Sequence, residues 1–219
     1  GMADWLALTV RHFAARPDIQ VVVRVHPGEL LGAGHTSEEI VHAALPSLPR
    51  HVLLVPPDSK INTYDLVELA DLGLVYTTTV GLEMAMAGVP VVVAGQTHYR
   101  GKGFTHDPAA LAEYFALLDG LLARPGARLD PEQVETAWRY AYRFFFDFPI
   151  RFPWHLLHFW KDMRERPLEE VVMSAPAGPY TATLERLLGG PAPWQMQGAG
   201  LDAGALAVAG NAPREGLTR

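Results

Sequence analysis

The sequence of 219 residues contains no cysteine. This absence excludes disulfides, thiolate catalysis and zinc sites with sulfur ligands, and it fits a reducing compartment. No run approaches the roughly 20 apolar residues that a membrane-spanning helix needs. The start of the chain lacks the basic and apolar regions of a secretory signal, and Gly1 before Met2 resembles a tag remnant. We therefore expect a cytoplasmic protein, with peripheral attachment to the inner membrane as an alternative.

Positive charge is also scarce, since 18 Lys and Arg residues face 24 Asp and Glu residues, for a net charge of −6. Nucleic acids are bound by basic surfaces, so this balance argues against them as partners but allows one small anionic ligand. The P-loop, GxGxxG, HExxH and GxSxG motifs are missing. No cluster of carboxylates suggests a metal site, and we expect no cofactor.

Short apolar runs alternate with helical patterns along the first two thirds of the chain. Strands are predicted at Ile19–Val25, His51–Val55, Leu72–Tyr76 and Pro90–Ala94. Helices are predicted at Trp5–Ala15, Tyr64–Ala70, Thr79–Ala87, Pro108–Leu122 and Pro131–Phe146. A further short helix is predicted to begin at Ser37, which would cap it, and Gly88 is predicted to end the helix at Thr79–Ala87. This alternation predicts an α/β fold with a doubly wound, Rossmann-like parallel sheet.

Composition divides the chain into three parts. Residues 2–125 are predicted to form the Rossmann-like lobe. Residues 126–190 form an aromatic-rich helical extension that we expect to pack on this lobe. Residues 191–219 are rich in Gly, Ala and Pro without periodicity, and this composition predicts a disordered tail.

Polar and glycine residues collect where the predicted strands end, and parallel sheets bind ligands outside these carboxyl ends. After the first three strands the candidates are His26, Pro27, Ser59, Asn62, Thr77, Thr78, Thr79, Gly81 and Glu83. The three threonines precede a helix whose first N–H groups lack acceptors, and together they could cradle a phosphate. A single threonine that caps this helix is the simpler alternative.

Gly81 and Glu83 lie in the first turn of the same helix. Gly81 would let a ligand or a neighbouring backbone approach closely. Glu83 could accept hydrogen bonds from both hydroxyls of a ribose, although the helix dipole alone also favours a carboxylate at this position.

The loop after the fourth strand contains Tyr99, Arg100 and Lys102, with a glycine on each side of the lysine. A basic loop of this kind could close over an anionic ligand. An ordinary solvated loop is the alternative. No residue pair in the sequence predicts a catalytic base, so the catalytic residues remain unassigned.

These segments, in this order, resemble the capsule polysaccharide biosynthesis protein family, which includes bacterial Kdo transferases. The resemblance covers Val21 to Pro108 and, more loosely, the aromatic stretch to Pro153. It rests on Val25-His26-Pro27, Ser59-Lys60-Ile61-Asn62-Thr63-Tyr64, Thr77-Thr78-Thr79-Val80-Gly81-Leu82-Glu83, Gly88-Val89-Pro90 and Tyr99-Arg100-Gly101-Lys102-Gly103-Phe104-Thr105.

The resemblance implies a GT-B type glycosyltransferase, of which this chain would be the C-terminal, nucleotide-sugar-binding lobe. His26 and Pro27 would contact the nucleotide, Thr77 to Thr79 the phosphate, and Lys102 would face the donor sugar. The donor would be CMP-linked, with Kdo as the first choice, or UDP-linked. The acceptor would be a saccharide or glycolipid. Because the His-Pro pair comes so early, we expect the chain to need a missing N-terminal lobe or a partner protein for activity.

Two other functions remain open from the sequence. A nucleotide-sugar 2-epimerase shares the two-lobed fold, but it needs acid–base carboxylates for which the chain offers few candidates. A non-catalytic domain that binds nucleotide, or that binds a partner in a capsule assembly complex, would need no catalytic residues.

Overall fold

The computed structural model describes residues 1–32, 35–149, 161 and 165. The chain divides into two units, Gly1–Tyr140 and Ala141–Arg219. The predicted tail at 191–219 and most of the predicted extension at 126–190 lie outside the described residues. Within the described part, no helix is both long and apolar enough to cross a membrane.

Helices and strands alternate along the described part of the chain. In chain order they are α1 (Met2–Ala14), β1 (Val21–Arg24), a 3₁₀-helix (Pro27–Leu31), α2 (Ser37–Ala44), β2 (Val52–Val55), α3 (Thr63–Leu69), β3 (Gly73–Val75), α4 (Val80–Met86), β4 (Val91–Val93), α5 (Leu111–Leu122), α6 (Pro131–Tyr142) and a π-helical turn (Arg143–Asp147). The predicted mixed α/β class is confirmed, although α5 begins at Leu111 rather than at Pro108.

The four strands form two parallel pairs. β1 pairs with β2, with Val21 opposite Val52, and β3 pairs with β4, with Gly73 opposite Val91. These pairs are separate two-stranded sheets in the described part of the chain. A single, doubly wound sheet is therefore not confirmed.

The β3–β4 pair is covered by helices on both faces. Leu74 packs against a cluster that α1 and α5 contribute to, with Phe13 and Tyr114 among its members. The next residue, Val75, faces α4, where a Cβ atom added to Gly81 would lie 2.9 Å from a Val75 methyl group. Because consecutive strand residues point to opposite faces, α1 and α5 lie on one side of this pair and α4 on the other.

The β1–β2 pair is covered mainly on one face. Val23 and Leu54 pack against the cluster formed by α1 and α2. Val22 and Leu53, which point to the opposite face, are 45% and 53% exposed. The helices of the first unit therefore cover this pair less completely than β3–β4.

The N-terminus of α2 differs from its prediction by one residue. Thr36, not Ser37, is the cap: its Oγ1 accepts from the Glu39 N–H at 3.2 Å, and the Glu39 carboxylate accepts from the Thr36 N–H at 3.0 Å. The N–H and hydroxyl of Ser37 instead donate to the Glu29 carboxylate, at 2.7 and 2.6 Å. The predicted cap was wrong because a threonine one position earlier completes a capping box with Glu39.

Gly95 allows the chains that follow β3 and β4 to approach closely. Its N–H donates to the Tyr76 carbonyl at 3.0 Å, and the Ala94 N–H donates to the Val75 carbonyl at 2.9 Å. A Cβ atom at position 95 would lie 2.5 Å from the Tyr76 oxygen. Glycine is therefore required here, since the obstructing atom belongs to backbone that cannot move without breaking the pairing.

We predict that Gly95→Ala lowers the free energy of unfolding by about 1–3 kcal/mol, the usual cost of overpacking. Gly120→Ala is the matched control, because Gly120 lies inside α5 with nothing within 4 Å of an added Cβ. The control should raise the free energy of unfolding by about 0.5–1 kcal/mol. Urea unfolding followed by circular dichroism measures the free energy of unfolding of each variant. Equal changes in the two variants would contradict the close contact between Gly95 and the Tyr76 carbonyl.

Candidate functional site

His26 lies at the carboxyl end of β1 with an exposed side chain. Its Nδ1 accepts a hydrogen bond from the Gly28 N–H at 2.9 Å, which caps the 3₁₀-helix beginning at Pro27. In a neutral imidazole that accepts at Nδ1, the proton resides on Nε2. His26 therefore presents an N–H donor to solvent, in an orientation fixed by its own backbone turn.

Ser59 and Asn62 follow β2 and shape the chain locally. The Ser59 hydroxyl accepts from the Ile61 N–H at 3.2 Å, which closes a turn. Asn62 caps α3, since its Oδ1 accepts from the Tyr64 N–H at 3.0 Å. The Asn62 side chain is exposed, and its amide group can still donate two hydrogen bonds.

The three threonines form the connection from β3 to α4. Thr77 and Thr79 are exposed, whereas Thr78 is half-buried and its Oγ1 accepts from the Val80 N–H at 3.4 Å. Thr79 occupies the cap position of α4 without making a side-chain capping bond. The weak local bond thus uses Thr78, and the side chains of Thr77 and Thr79 are presented to solvent.

Glu83 connects the segments that follow β2 and β3. It is half-buried in the first turn of α4, and the Tyr64 hydroxyl at the start of α3 lies beside its carboxylate. The proximity of the negatively charged Glu83 carboxylate raises the pKa of Tyr64. Sequence reasoning missed Tyr64 as a site residue, although its place two residues after Asn62 was a usable signal.

Tyr99 belongs to the loop for which a donor-sugar contact is predicted, but its own side chain lies inside the protein. Its side chain is fully buried, and its hydroxyl donates to the Thr78 carbonyl at 2.5 Å. The hydroxyl occupies the space where a residue other than glycine at position 81 would place its Cβ. Gly81 therefore admits a neighbouring side chain, and Tyr99 supports the threonine segment from beneath.

Arg100 is half-buried and fixes the same loop to the end of β4. Its Nη1 donates to the carbonyls of Val93 and Gly95 at 2.5 and 3.1 Å, and its Nη2 donates to the Pro108 carbonyl at 2.5 Å. Three backbone acceptors use much of the donor capacity of the guanidinium group. The side chain thus braces the backbone around the site.

Lys102 projects from a loop that is held on both sides. The Asp107 carboxylate accepts from the Gly101 N–H at 2.7 Å and from the Thr105 hydroxyl at 2.9 Å. Gly101 and Gly103 adopt φ values of 72° and 92°, which glycine tolerates best. The lysine between them is exposed.

His98 is stacked on Tyr140 of α6, with ring centroids 5.8 Å apart. Its Nδ1 lies 3.0 Å from the Tyr140 hydroxyl, and the Tyr140 hydroxyl donates to the His98 carbonyl at 2.7 Å. Burial lowers the pKa of His98, which favours the neutral ring. The loop after β4 is therefore also held from the side of α6.

No group of three or more His, Asp or Glu side chains in the described part of the chain is arranged to hold a metal ion. The polar groups that the described strand ends present are hydroxyls, an imidazole, an amide, a carboxylate and an ammonium group. Such a set can bind a phosphate and a ribose by hydrogen bonds and charge.

Residues 3–116 match the model of a family described as capsule polysaccharide biosynthesis protein. Among solved structures, the chain is similar to KpsC, a beta Kdo 2,4 transferase from Thermosulfurimonas dismutans, at 21% sequence identity and a TM-score of 0.39. The similarity covers 61% of this chain and 36% of the transferase chain. No curated protein matches the sequence.

We predict that Tyr99→Phe lowers the free energy of unfolding by about 1–2 kcal/mol at pH 8, because the Thr78 carbonyl loses its donor. Burial raises the pKa of Tyr99 from 10.0 to about 12. Below pH 10.0 both folded and unfolded states keep the phenol proton, so the hydroxyl contributes fully. Between pH 10.0 and about 12 the unfolded state loses that proton first, and the contribution declines.

The free energies of unfolding of the unchanged protein and of Tyr99→Phe are measured with denaturant between pH 8 and 11. Their difference is used because the other tyrosines titrate in the same way in both proteins. The difference should be constant up to pH 10.0 and should narrow above it. A difference that persists unchanged to pH 11 would contradict the raised pKa.

Proposed function

Because the chain belongs to the capsule polysaccharide biosynthesis protein family, we propose that its first unit binds the donor of a glycosyltransferase. The donor is a nucleotide-activated sugar that lies across the carboxyl ends of the strands. The whole protein transfers this sugar to a saccharide or glycolipid acceptor in the synthesis of a surface polysaccharide.

The contact between Tyr64 and Glu83 is the observation that carries this proposal. It brings the polar segment after β2 beside the first turn of α4, directly after the threonines that end β3. One ligand can therefore reach the Asn62 amide, the Glu83 carboxylate and the threonine hydroxyls. Family membership alone would not define a site, and this contact supports the position that we propose for it.

The phosphate part of the donor binds to Thr77 and Thr79, with positive charge supplied by Lys102. These side chains are exposed, and the loop that presents the lysine is braced by Arg100 and Asp107. Donors that are fixed before the reaction stabilise charge that develops on a leaving phosphate at little cost in reorganisation. The His26 Nε2–H is a further donor, from the end of β1.

The ribose binds to Glu83, whose carboxylate can accept from both the 2′- and 3′-hydroxyls. The Tyr64 hydroxyl lies beside this carboxylate. A ligand that carries a ribose is therefore favoured over its deoxyribose counterpart. The donor we propose first is CMP-linked Kdo, and the second is a UDP-linked sugar.

For the fold, we propose that the two strand pairs belong to one doubly wound sheet, the lobe of a GT-B enzyme. Val21 of β1 and Leu74 of β3 both pack against the cluster centred on Phe13 and Val92. This shared packing favours β1 next to β3 and a strand order β2–β1–β3–β4. That order would bring His26 beside the threonine segment at one edge of the sheet.

We predict that CMP raises the apparent stability of the chain more than UDP, CDP or GDP, since a ligand that binds the folded state stabilises it by mass action. Thr79→Ala should weaken CMP binding by at least about tenfold, or about 1.4 kcal/mol, and Thr79→Ser should retain most of the affinity. Calorimetric titration measures each dissociation constant. Thr136→Ala is the control, because its hydroxyl bonds only within α6.

A preference for UDP would favour hexose transfer or epimerisation over Kdo transfer. Equal affinities of Thr79→Ala and the unchanged protein would contradict the phosphate site. Absence of binding by every nucleotide would contradict the proposed function of this unit.

We further predict that the unchanged protein binds CMP more tightly than 2′-deoxy-CMP, because Glu83 accepts from the hydroxyl that the latter lacks. Glu83→Gln should weaken CMP binding by roughly tenfold and reduce the ratio between the two ligands toward one. Calorimetry with both nucleotides measures the ratio. A ratio that Glu83→Gln leaves unchanged would show that the carboxylate does not contact the ribose.

A further inference from the structure

A concave site separate from the candidate nucleotide site lies at the same edge of the β3–β4 pair. It is a cleft of about 290 Å³ between the N-terminal ends of α1 and α5. Its lining includes Asp4, Trp5 and Leu8 from α1, Tyr76 at the end of β3, and Leu111 and Tyr114 from α5. Since α1 and α5 cover the face opposite α4, this cleft and Glu83 lie on different sides of the pair.

Aromatic rings form much of the wall of this cleft. The Trp5 and Tyr76 rings are 5.5 Å apart at an angle of 37°, and Trp5 meets Tyr114 edge-on at 6.5 Å. The Tyr114 ring is held in place, because its hydroxyl and that of Thr9 lie 3.1 Å apart in a buried hydrogen bond. Tyr114 is buried and supports the Trp5 ring from behind, whereas Trp5 and Tyr76 are partly exposed. These two rings can pack against the apolar C–H face of a sugar ring, and the sugar hydroxyls remain available for hydrogen bonds.

The polar groups of the lining restrict the ligand further. Asp4 supplies an exposed carboxylate, which can accept hydrogen bonds from the hydroxyls of a ligand. The lining contains no cationic side chain. An anionic ligand is therefore disfavoured.

The size of the cleft fits a small ligand. Its volume of about 290 Å³ lies at the lower limit of the roughly 300–1,000 Å³ that is typical of small-molecule pockets. One sugar ring matches this space better than a complete nucleotide does.

We propose that this cleft binds one neutral pyranose ring of a saccharide. Tyr76 lines it, and the next residue is Thr77, so a ring held there would lie next to the proposed phosphate site. Its role as an acceptor subsite rests on the proposed function, whereas the binding itself does not.

The test compares methyl β-glucopyranoside with methyl β-glucuronide, which differ by one carboxylate. Each is titrated into ¹⁵N-labelled protein, and the indole N–H signal of Trp5 is followed. The glucoside should shift this signal in a saturable way, and the glucuronide should bind at least about fivefold more weakly because the cleft offers it little positive charge.

Ala110→Trp provides the blocking variant, because Ala110 lines the cleft, is exposed and has an extended backbone. It should raise the dissociation constant of the glucoside by at least about tenfold. Ala112→Trp is the matched control, since Ala112 is exposed in the same turn of α5 but does not line the cleft. The control should leave the dissociation constant unchanged.

Equal binding of glucoside and glucuronide, equal effects of the two tryptophan variants, or no shift at the solubility limit of the glucoside would each overturn the proposal. A CMP titration of the same sample separates it from the proposed function. Shifts near Thr77 and Glu83 with CMP, but none at Trp5 with the glucoside, would contradict only the proposed sugar site in the cleft. The reverse result would contradict only the proposed nucleotide site.

Discussion

The buried hydroxyl of Tyr99 fixes the part of the molecule on which the candidate site depends. It donates to the carbonyl of Thr78 at 2.5 Å, from a loop that lies beyond the next strand. Gly81 provides the space for it, since any larger residue would collide with the phenol. The position of the threonine segment is thus set by the loop after β4 as well as by β3 itself. Because the phenol is buried, loss of its hydroxyl would leave the half-buried Thr78 carbonyl without this donor and would also loosen the contact with α4.

The other contacts of this loop act in the same direction. Arg100 joins it to carbonyls at the end of β4 and at Pro108, and Asp107 closes it between Gly101 and Thr105. A loop held by so many bonds does not need a large closing motion to place Lys102. If this loop binds a ligand, it would act as a preorganised wall, because the entropic cost of ordering it is met during folding and not at the moment of binding.

Much of the fold was predictable because the signals are local. The apolar runs predicted all four strands, and Gly88 was predicted to end α4, where it adopts a φ of 79°. The place of the polar residues at strand ends also follows from the sequence. The inward direction of Tyr99 did not, because its partner lies 21 residues earlier and nothing in the string Tyr-Arg-Gly-Lys-Gly distinguishes a buried tyrosine from an exposed one. The pairing of Tyr64 with Glu83 is non-local for the same reason.

The alternation of side chains along β3 explains how one strand end could serve two ligands. Val75 faces α4, and Tyr76 faces α1 and α5, where it meets Trp5. Two consecutive residues therefore point to different faces of the strand pair. One face carries Glu83, and the other carries the aromatic cleft, whose lining has no cationic side chain. If both proposed ligands bind, their solvation requirements would keep them apart, since a phosphate would be poorly accommodated among the rings and a neutral sugar would gain little from Lys102. Both would still lie beside the same threonines, as a transfer between them requires.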